Sequence, residues 1–566
     1  MTHQDATRKS VIWLLVASVS LSIIMRWPTS SHETGIDSFF IHNLANSIYT
    51  FNEIKWDANL LSYFGYYPLS YPSGVPIILA ELSLMTGIDI ECLVLLLSFF
   101  SGIIATIASF VLALELKKSP LFGFAIAVTY SSAPLLLLMN QWTATTRGVF
   151  LALLPLILWT LIRLKVAKEK EQDRYAQILL IIILAFLILL VAFIHRLVIL
   201  LIILFASYII ARILTARKLQ TRFGHRKEKI MRVSIAITLF ILILIPDIYF
   251  SFMSGWLGLE SYETGFFSGD SILSKFLNLM ASIAASIGFP LAFLFPIAAF
   301  LIYKKRENWT FIGILLFLPF VLLLPLSGSR IYERMMYPLV ILPIIFFSAY
   351  VPLTKRWKKA YQLVLVIFII TTLPLNIALV DHWEDWPKTK IVDDGNSMSD
   401  QTYMTALYVR HLYPQTNFIG NNWIASLRIQ SISMCPEIPN GLSPTSSLNV
   451  ILYDIIDIDE LDVEPATFDE IIESQGVFFK SKWELKPETD WLYIFLSKTD
   501  PEKTAALLTL YKTEMLIEDV RLGGKISGWY SEIYYPLTGE IAPFIATTYK
   551  SSYKVYDNGR ECIWLI

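Results

Sequence analysis

Charge is scarce in this chain. Asp, Glu, Lys and Arg make up 16% of its 566 residues, against 55% hydrophobic, and the mean hydropathy is +0.56. A water-soluble globular protein, with about 25% charged residues, is excluded. Neither sign dominates: 46 Lys and Arg meet 47 Asp and Glu for a net charge of −1, which excludes a globally basic nucleic-acid binder. Cysteine is almost missing too. Cys92, Cys435 and Cys562 are the only three, and no two have the C-x-x-C spacing that a zinc ribbon or an iron–sulfur centre uses. One Cys435–Cys562 bridge is the most they can form. Beyond residue 380 there is no Gly-rich phosphate loop, no G-x-S-x-G elbow and no histidine cluster, so that part offers no second catalytic centre.

What is present is apolar length. A helix crosses a bilayer core with ~20 apolar residues, because unpaired backbone groups are not tolerated in lipid. About eleven runs qualify: 10–26, 89–115, 121–139, 148–164, 176–194, 197–214, 232–250, 277–302, 310–326, 337–353 and 361–380. The first follows Arg8-Lys9 without a small-residue cleavage site, so it reads as a retained anchor. Residues 75–86 are apolar but short and carry Glu81, as a surface or re-entrant helix would. The fold class is therefore a polytopic α-helical membrane protein. Its transmembrane part is 1–380, with a first outer loop at 27–88, and a mixed α/β domain follows at 381–566, with candidate strands at 417–420, 449–454, 476–479, 491–497, 553–555 and 563–566 and helical stretches at 399–412 and 501–511.

Orientation follows from where Lys and Arg collect. A cytoplasmic N-terminus puts Arg8/Lys9, Lys117/Lys118, the 163–174 run, the basic 216–229 run ARKLQTRFGHRKEK, Lys304–Arg306 and Lys355–Lys359 on one side. An odd number of spans then leaves the C-terminal domain extracytoplasmic, in a multi-pass protein of the plasma membrane. The basic 216–229 run is expected against anionic membrane lipid. Asn308-Trp309-Thr310 falls in a cytoplasmic loop, where it is not a glycosylation acceptor.

Three extracytoplasmic segments carry more polar and aromatic residues than a connection needs. In the first, helical spacing runs from Asp37 to Thr50, with Phe40, Leu44 and Ile48 on one side and Ser38, His42 and Asn46 on another. That is the pattern of an interfacial amphipathic helix. Asp37 opens it, either as an N-cap or as a functional acid. The second segment, 251–276, supplies Glu260, Glu263 and Asp270; the third, within 327–338, holds GSRIYERMMYP, with Arg330 and Arg334 at i, i+4 beside Glu333. His195-Arg196 interrupts one apolar stretch and reads as a tight outer turn.

The run HETGIDSFFIHNLANSI, followed by YYPLSYPSGVPIILAELSLMTGI, resembles the first extracytoplasmic loop of the GT-C superfamily of membrane glycosyltransferases. It is similar, more narrowly, to archaeal and bacterial relatives of the oligosaccharyltransferase catalytic subunit and of the protein mannosyltransferases. The closing KVYDNGRECIWLI resembles the last strands of such outer domains. The resemblance implies transfer of a sugar, with inversion, from a polyprenyl-phosphate donor to a glycan, lipid or protein acceptor. It implies Asp37 as base, with Glu33 and His42 positioning or tuning it. Arg330, with Arg334 and then Arg196, would hold donor phosphate through the two-pronged guanidinium geometry. Tyr66, Tyr67, Tyr71 and Glu263 would wall the sugar.

The chain also departs from that pattern. The outer segment NFIGNNWIASLRIQS lacks the Asp of a WWDYG-type motif, and NQWTATTRG, between the third and fourth spans, has Arg147 and no carboxylate. No firm metal site is predicted, although such enzymes can take Mg²⁺ or Mn²⁺. Two other classes are weighed beside the enzyme. A transporter would want an internal repeat or matched broken helices, and neither is found. A non-catalytic scaffold would leave Asp37 and the arginine pair without a role.

Overall fold

The computed structural model describes residues 3–52, 54, 73–116, 118–169, 174–195, 198–215, 315, 318–319, 397–438, 501–522 and 553–566. The expected spans 232–250, 277–302, 337–353 and 361–380 lie outside them. So do the expected outer strands 449–454, 476–479 and 491–497. Of the run 310–326 only Leu315, Leu318 and Pro319 are described, all helical.

Helices α1 (His3–Met25), α4 (Ile90–Leu116), α7 (Thr146–Glu169), α8 (Arg174–Ile194) and α9 (Ile199–Thr215) fall on expected spans, with α2 (Ile36–Phe51) and α3 (Gly74–Thr86) between the first two. Among the described residues three helices, within α4, α7 and α8, are long and apolar enough to cross a membrane. On α8 the exposed side chains include Ile178, Leu179, Ile181, Ile182, Phe186 and Leu189. Such a face is stable in lipid and not in water, and the chain is a membrane protein. Helix α8 ends at Ile194 and α9 starts at Ile199; Arg196 of the expected tight turn lies outside the described residues.

One expected span is not a single helix. Over 121–139 the chain forms α5 (Pro120–Ser131) and α6 (Pro134–Leu138). Pro134 forces the residue before it out of helical geometry, and Ala133 sits at ψ 130°. The break frees carbonyls that neighbours then satisfy. Arg26, fully buried, donates from Nη2 to Ser131 O at 3.0 Å and from Nη1 to Ser22 Oγ at 2.9 Å. A proline acts likewise inside α7. Pro155 brings no N–H to Leu151 O, and the Tyr130 hydroxyl donates to that oxygen at 2.6 Å.

The chain divides into two compact units, one made of 1–27, 99–140 and 147–382, the other of 28–98, 141–146 and 383–566. The second holds a four-stranded sheet in the order β1 (Asn417–Gly420), β2 (Thr513–Asp519), β4 (Glu561–Leu565), β3 (Tyr553–Asp557). β1 and β2 are parallel; β2 with β4, and β3 with β4, are antiparallel. Helices α10 (Asp400–Leu412), α11 (Trp423–Ser433) and α12 (Pro501–Leu510) accompany it. Strand β2 and helix α11 were not expected from the sequence. The core of this unit joins Phe418, Met515, Ile517 and Ile563 of the strands to Val409 of α10, Ile429 of α11 and Phe39 of α2. Cys435 and Cys562 are both buried and free, so the bridge they could have formed is absent. Cys435 instead hydrogen-bonds the Tyr413 carbonyl at 3.4 Å, and Cys562 lies on β4 opposite Glu518.

Candidate active site

The local geometry starts at Gly35. Its φ of +87° suits glycine, and a Cβ there would come within 2.8 Å of Thr143 Cγ2. Gly35, rather than Asp37, is therefore the N-cap of α2, and Asp37 stands in its first turn. There the helix dipole favours a negative charge. Asp37 is exposed while its neighbours are not.

Those neighbours lock the turn. Glu33 is fully buried and its two oxygens are both used: Oε2 meets His42 Nδ1 at 2.7 Å, and Oε1 accepts from Ser38 Oγ. Ser38 Oγ in turn accepts from Ala144 N at 2.6 Å. Thr34 is buried. Its N–H donates to Trp142 O at 3.0 Å, and its Oγ1 donates to Gln141 O at 2.9 Å and lies 2.8 Å from Thr143 Oγ1. Glu33 N also donates to Glu91 Oε1 at 3.2 Å. The segment without a carboxylate, 141–146, thus packs hydroxyls and backbone against HETGID.

Sequence spacing assigned Ser38, His42 and Asn46 to a wet face. In the structure every residue from Ser38 to Ile48 is buried, because the polar side chains find partners in 141–146 and in α11. Asn43 Nδ2 donates to Gln430 Oε1 at 3.0 Å and to Leu427 O at 3.3 Å, and Asn46 Nδ2 to Ser431 O at 2.7 Å. Arg428 of α11 lies over the Phe39 ring at 5.5 Å. Burial, reinforced by the nearby Arg521 charge and opposed by Glu561, pulls the Arg428 guanidinium down to about 9. Within the turn before α2, His32 stacks on Tyr403 of α10 at 3.8 Å, with Glu91 and Asp400 at 3.4 and 3.3 Å from its nitrogens.

The Asn421-Asn422 pair is structural. Asn422 caps α11, its Oδ1 accepting from Ile424 N at 3.1 Å, and donates to Asp519 Oδ2 at 2.7 Å; Asn421 exchanges bonds with the Asp519 backbone. Arg521 holds the other Asp519 oxygen at 3.0 Å. Among the described residues, no three of His, Cys, Asp and Glu are grouped closely enough to hold a metal ion. Of the expected site residues, Asp37, Glu33 and His42 are described. Arg196, Arg330, Arg334, Tyr66, Tyr67, Tyr71 and Glu263 lie outside the described residues. Sequence spacing did not mark Asn43, Gln430 or Arg428. Its one signal was the polar run SLRIQS, too polar for an ordinary core helix.

No family model matches the chain, and no curated protein matches it by sequence. Solved structures do match. The archaeal oligosaccharyltransferase AglB from Archaeoglobus fulgidus, solved in complex with an inhibitory peptide and a dolichol-phosphate, has a TM-score of 0.52 at 11% identity. That match covers 91% of this chain and 70% of AglB. ArnT from Cupriavidus metallidurans, bound to undecaprenyl phosphate, gives 0.45 at 12% identity over 98% of this chain and 97% of its own. The mycobacterial arabinofuranosyltransferase AftD gives 0.48 at 14% identity over 99% of this chain and 40% of its own.

Proposed function

We propose that this chain, which has the fold of the GT-C glycosyltransferases, is itself a glycosyltransferase. It moves a sugar from a polyprenyl-phosphate donor to an extracytoplasmic glycan, lipid or protein acceptor. The observation that carries this reading is Asp37: an exposed carboxylate in the first turn of α2, set there by a glycine turn that Glu33, Thr34 and Ser38 hold in place through hydrogen bonds. AglB, with the same fold, holds a dolichol-phosphate.

Transfer to a hydroxyl needs a base for the proton and a cation for the departing phosphate. Asp37 serves as the base, and Glu33 with His42 positions it by fixing the turn. Arg330, supported by Arg334 and Arg196, holds the phosphate, whose planar two-oxygen recognition suits guanidinium. Tyr66, Tyr67, Tyr71 and Glu263 contact the sugar. The hydroxyl-lined 141–146 segment, without a carboxylate, favours turnover without Mg²⁺ or Mn²⁺. The N-terminus is cytoplasmic and the domain from 381 onward faces outward from the plasma membrane. In support, the outer segments 28–98, 141–146 and 383–566 belong to one unit.

The test is Asp37→Asn in purified protein given a panel of polyprenyl-phosphate sugars. Asparagine keeps the shape and loses the proton acceptor. Transfer should fall roughly 10²–10⁴-fold with the melting temperature unchanged, and EDTA should leave the native rate intact. Native turnover by Asp37→Asn, with loss of turnover in Glu263→Gln, would move the base to the 251–276 loop.

A further inference from the structure

We propose that α11 positions Asp37, acting as a register clamp on α2 through Asn43 and Asn46; this rests on Asp37 being the base. Phe39, Asn43 and Asn46 stand at i, i+4 and i+7, one stripe of α2, and all three are fully buried. Along α11 they meet Arg428, then Leu427 O and Gln430, then Ser431 O. The Ser431 carbonyl belongs to the last turn of α11, where no later helical N–H reaches it, so Asn46 completes that helix end.

Two amide contacts one turn apart fix both slide and rotation. A one-turn slip of about 5.4 Å would break both, whereas a purely apolar interface tolerates such slips. Buried polar groups specify one arrangement at a cost in stability. That cost is visible here: Asn46 Oδ1 is buried without a hydrogen-bond partner among the described residues. Asn46 is thus a poor choice for stability and a good one for register. The clamp is itself anchored, since Asn421 and Asn422 tie the start of α11 to Asp519 at the end of β2. Asp37 lies six residues upstream of Asn43 on the same continuous helix, about 9 Å along its axis. A shift at Asn43 therefore arrives at the carboxylate, and misplacement by about 1 Å can cost 10²-fold in rate.

The experiment uses full-length protein in nanodiscs with the polyprenyl-phosphate mannose, glucose or arabinose that it turns over. The variants are Asn43→Ala, Asn46→Ala, Gln430→Ala and the pair Asn43→Ala with Gln430→Ala, beside Asp37→Asn. Each Asn variant should lose roughly 10-fold or more in kcat. Donor KM should stay within about 2-fold and the kcat pH profile should keep its shape. The double variant should be no worse than the worse single, because the two residues share one contact. Deuterium exchange should rise across 36–51. Native kcat and native exchange in the Asn variants, next to an inactive Asp37→Asn, overturn the clamp and leave the base assignment standing. So does a fall in melting temperature with kcat unchanged. Native turnover by Asp37→Asn removes the base assignment and this proposal with it.

Discussion

Beside β1, the Glu437 carboxyl is fully enclosed, with its backbone in an isolated parallel bridge to Phe418. Burial pushes its pKa well above the usual carboxylate range, opposed in part by a hydrogen bond to Ser426. Folding therefore favours the protonated form. Its contribution to stability is complete below the ordinary value of 4.5 and is lost as pH rises toward the raised native value. The slope of that loss is at most about 1.4 kcal/mol per pH unit for one proton. Glu437→Gln keeps the shape and a partner for Ser426 without a proton to lose. Its melting temperature should be flatter than the native one between pH 5 and 9, and higher at the alkaline end. A Gln variant whose melting curve follows the native pH dependence would move that titration elsewhere. Asp557 runs the other way: Lys554 at 2.9 Å draws it down to about 2, but both groups are exposed at the end of β3, where ion pairs contribute little.

The helices show how proline shapes these elements. At Pro155 the backbone of α7 keeps its helical path, and Tyr130 supplies to Leu151 O the hydrogen bond that proline cannot. Tyr130→Phe should cost about 1–2 kcal/mol, read as a lower melting temperature in detergent. In a Pro155→Ala background the lost N–H is restored, and the same Tyr130→Phe change should cost less than half as much. Equal costs in both backgrounds would mean that the hydroxyl serves no such purpose. Element type was legible where period and length agreed: α2, α4, α8, α9 and α10 lie within a few residues of their expected bounds, as do β1, β3 and β4, while α1 starts seven residues before its expected start and α7 runs five past its expected end. Pro134 was visible in the sequence, yet a break within a long apolar run is hidden from hydropathy, which does not register backbone geometry. Helix α11 was missed because its pattern is neither amphipathic nor apolar. Residues Ser426, Arg428, Gln430 and Ser431 are buried, and Gln430 and the Ser431 carbonyl meet Asn43 and Asn46 at separations of 387 and 385 residues, of which local spacing carries no trace. The same holds for the site: Glu33, Asp37 and His42 were readable as a motif, whereas the commitment of Thr34 and Ser38 to 141–146 depends on contacts over a hundred residues away in sequence.

At the scale of the whole molecule, topology is the property most easily checked. In a Cys92→Ser background, Lys118→Cys should be shielded from an impermeant thiol reagent added to intact cells, and Met404→Cys, 55% exposed on α10, should react. Labelling at 118 and not at 404 would invert the orientation. The core that unites Phe39 with Ile563 has a further consequence, in time rather than in space. Phe39 of α2 leaves the ribosome 524 residues (563 − 39) ahead of Ile563. At ~5–20 residues per second the delay between them is roughly half a minute to two minutes. Through that interval Asn43 and Asn46 are without their α11 partners and Phe39 without β4. The turn that carries Asp37 can reach its final packing only after β4 has been made, so a nascent or prematurely ended polypeptide that lacks β4 is threaded into the membrane before α2 has its full set of partners.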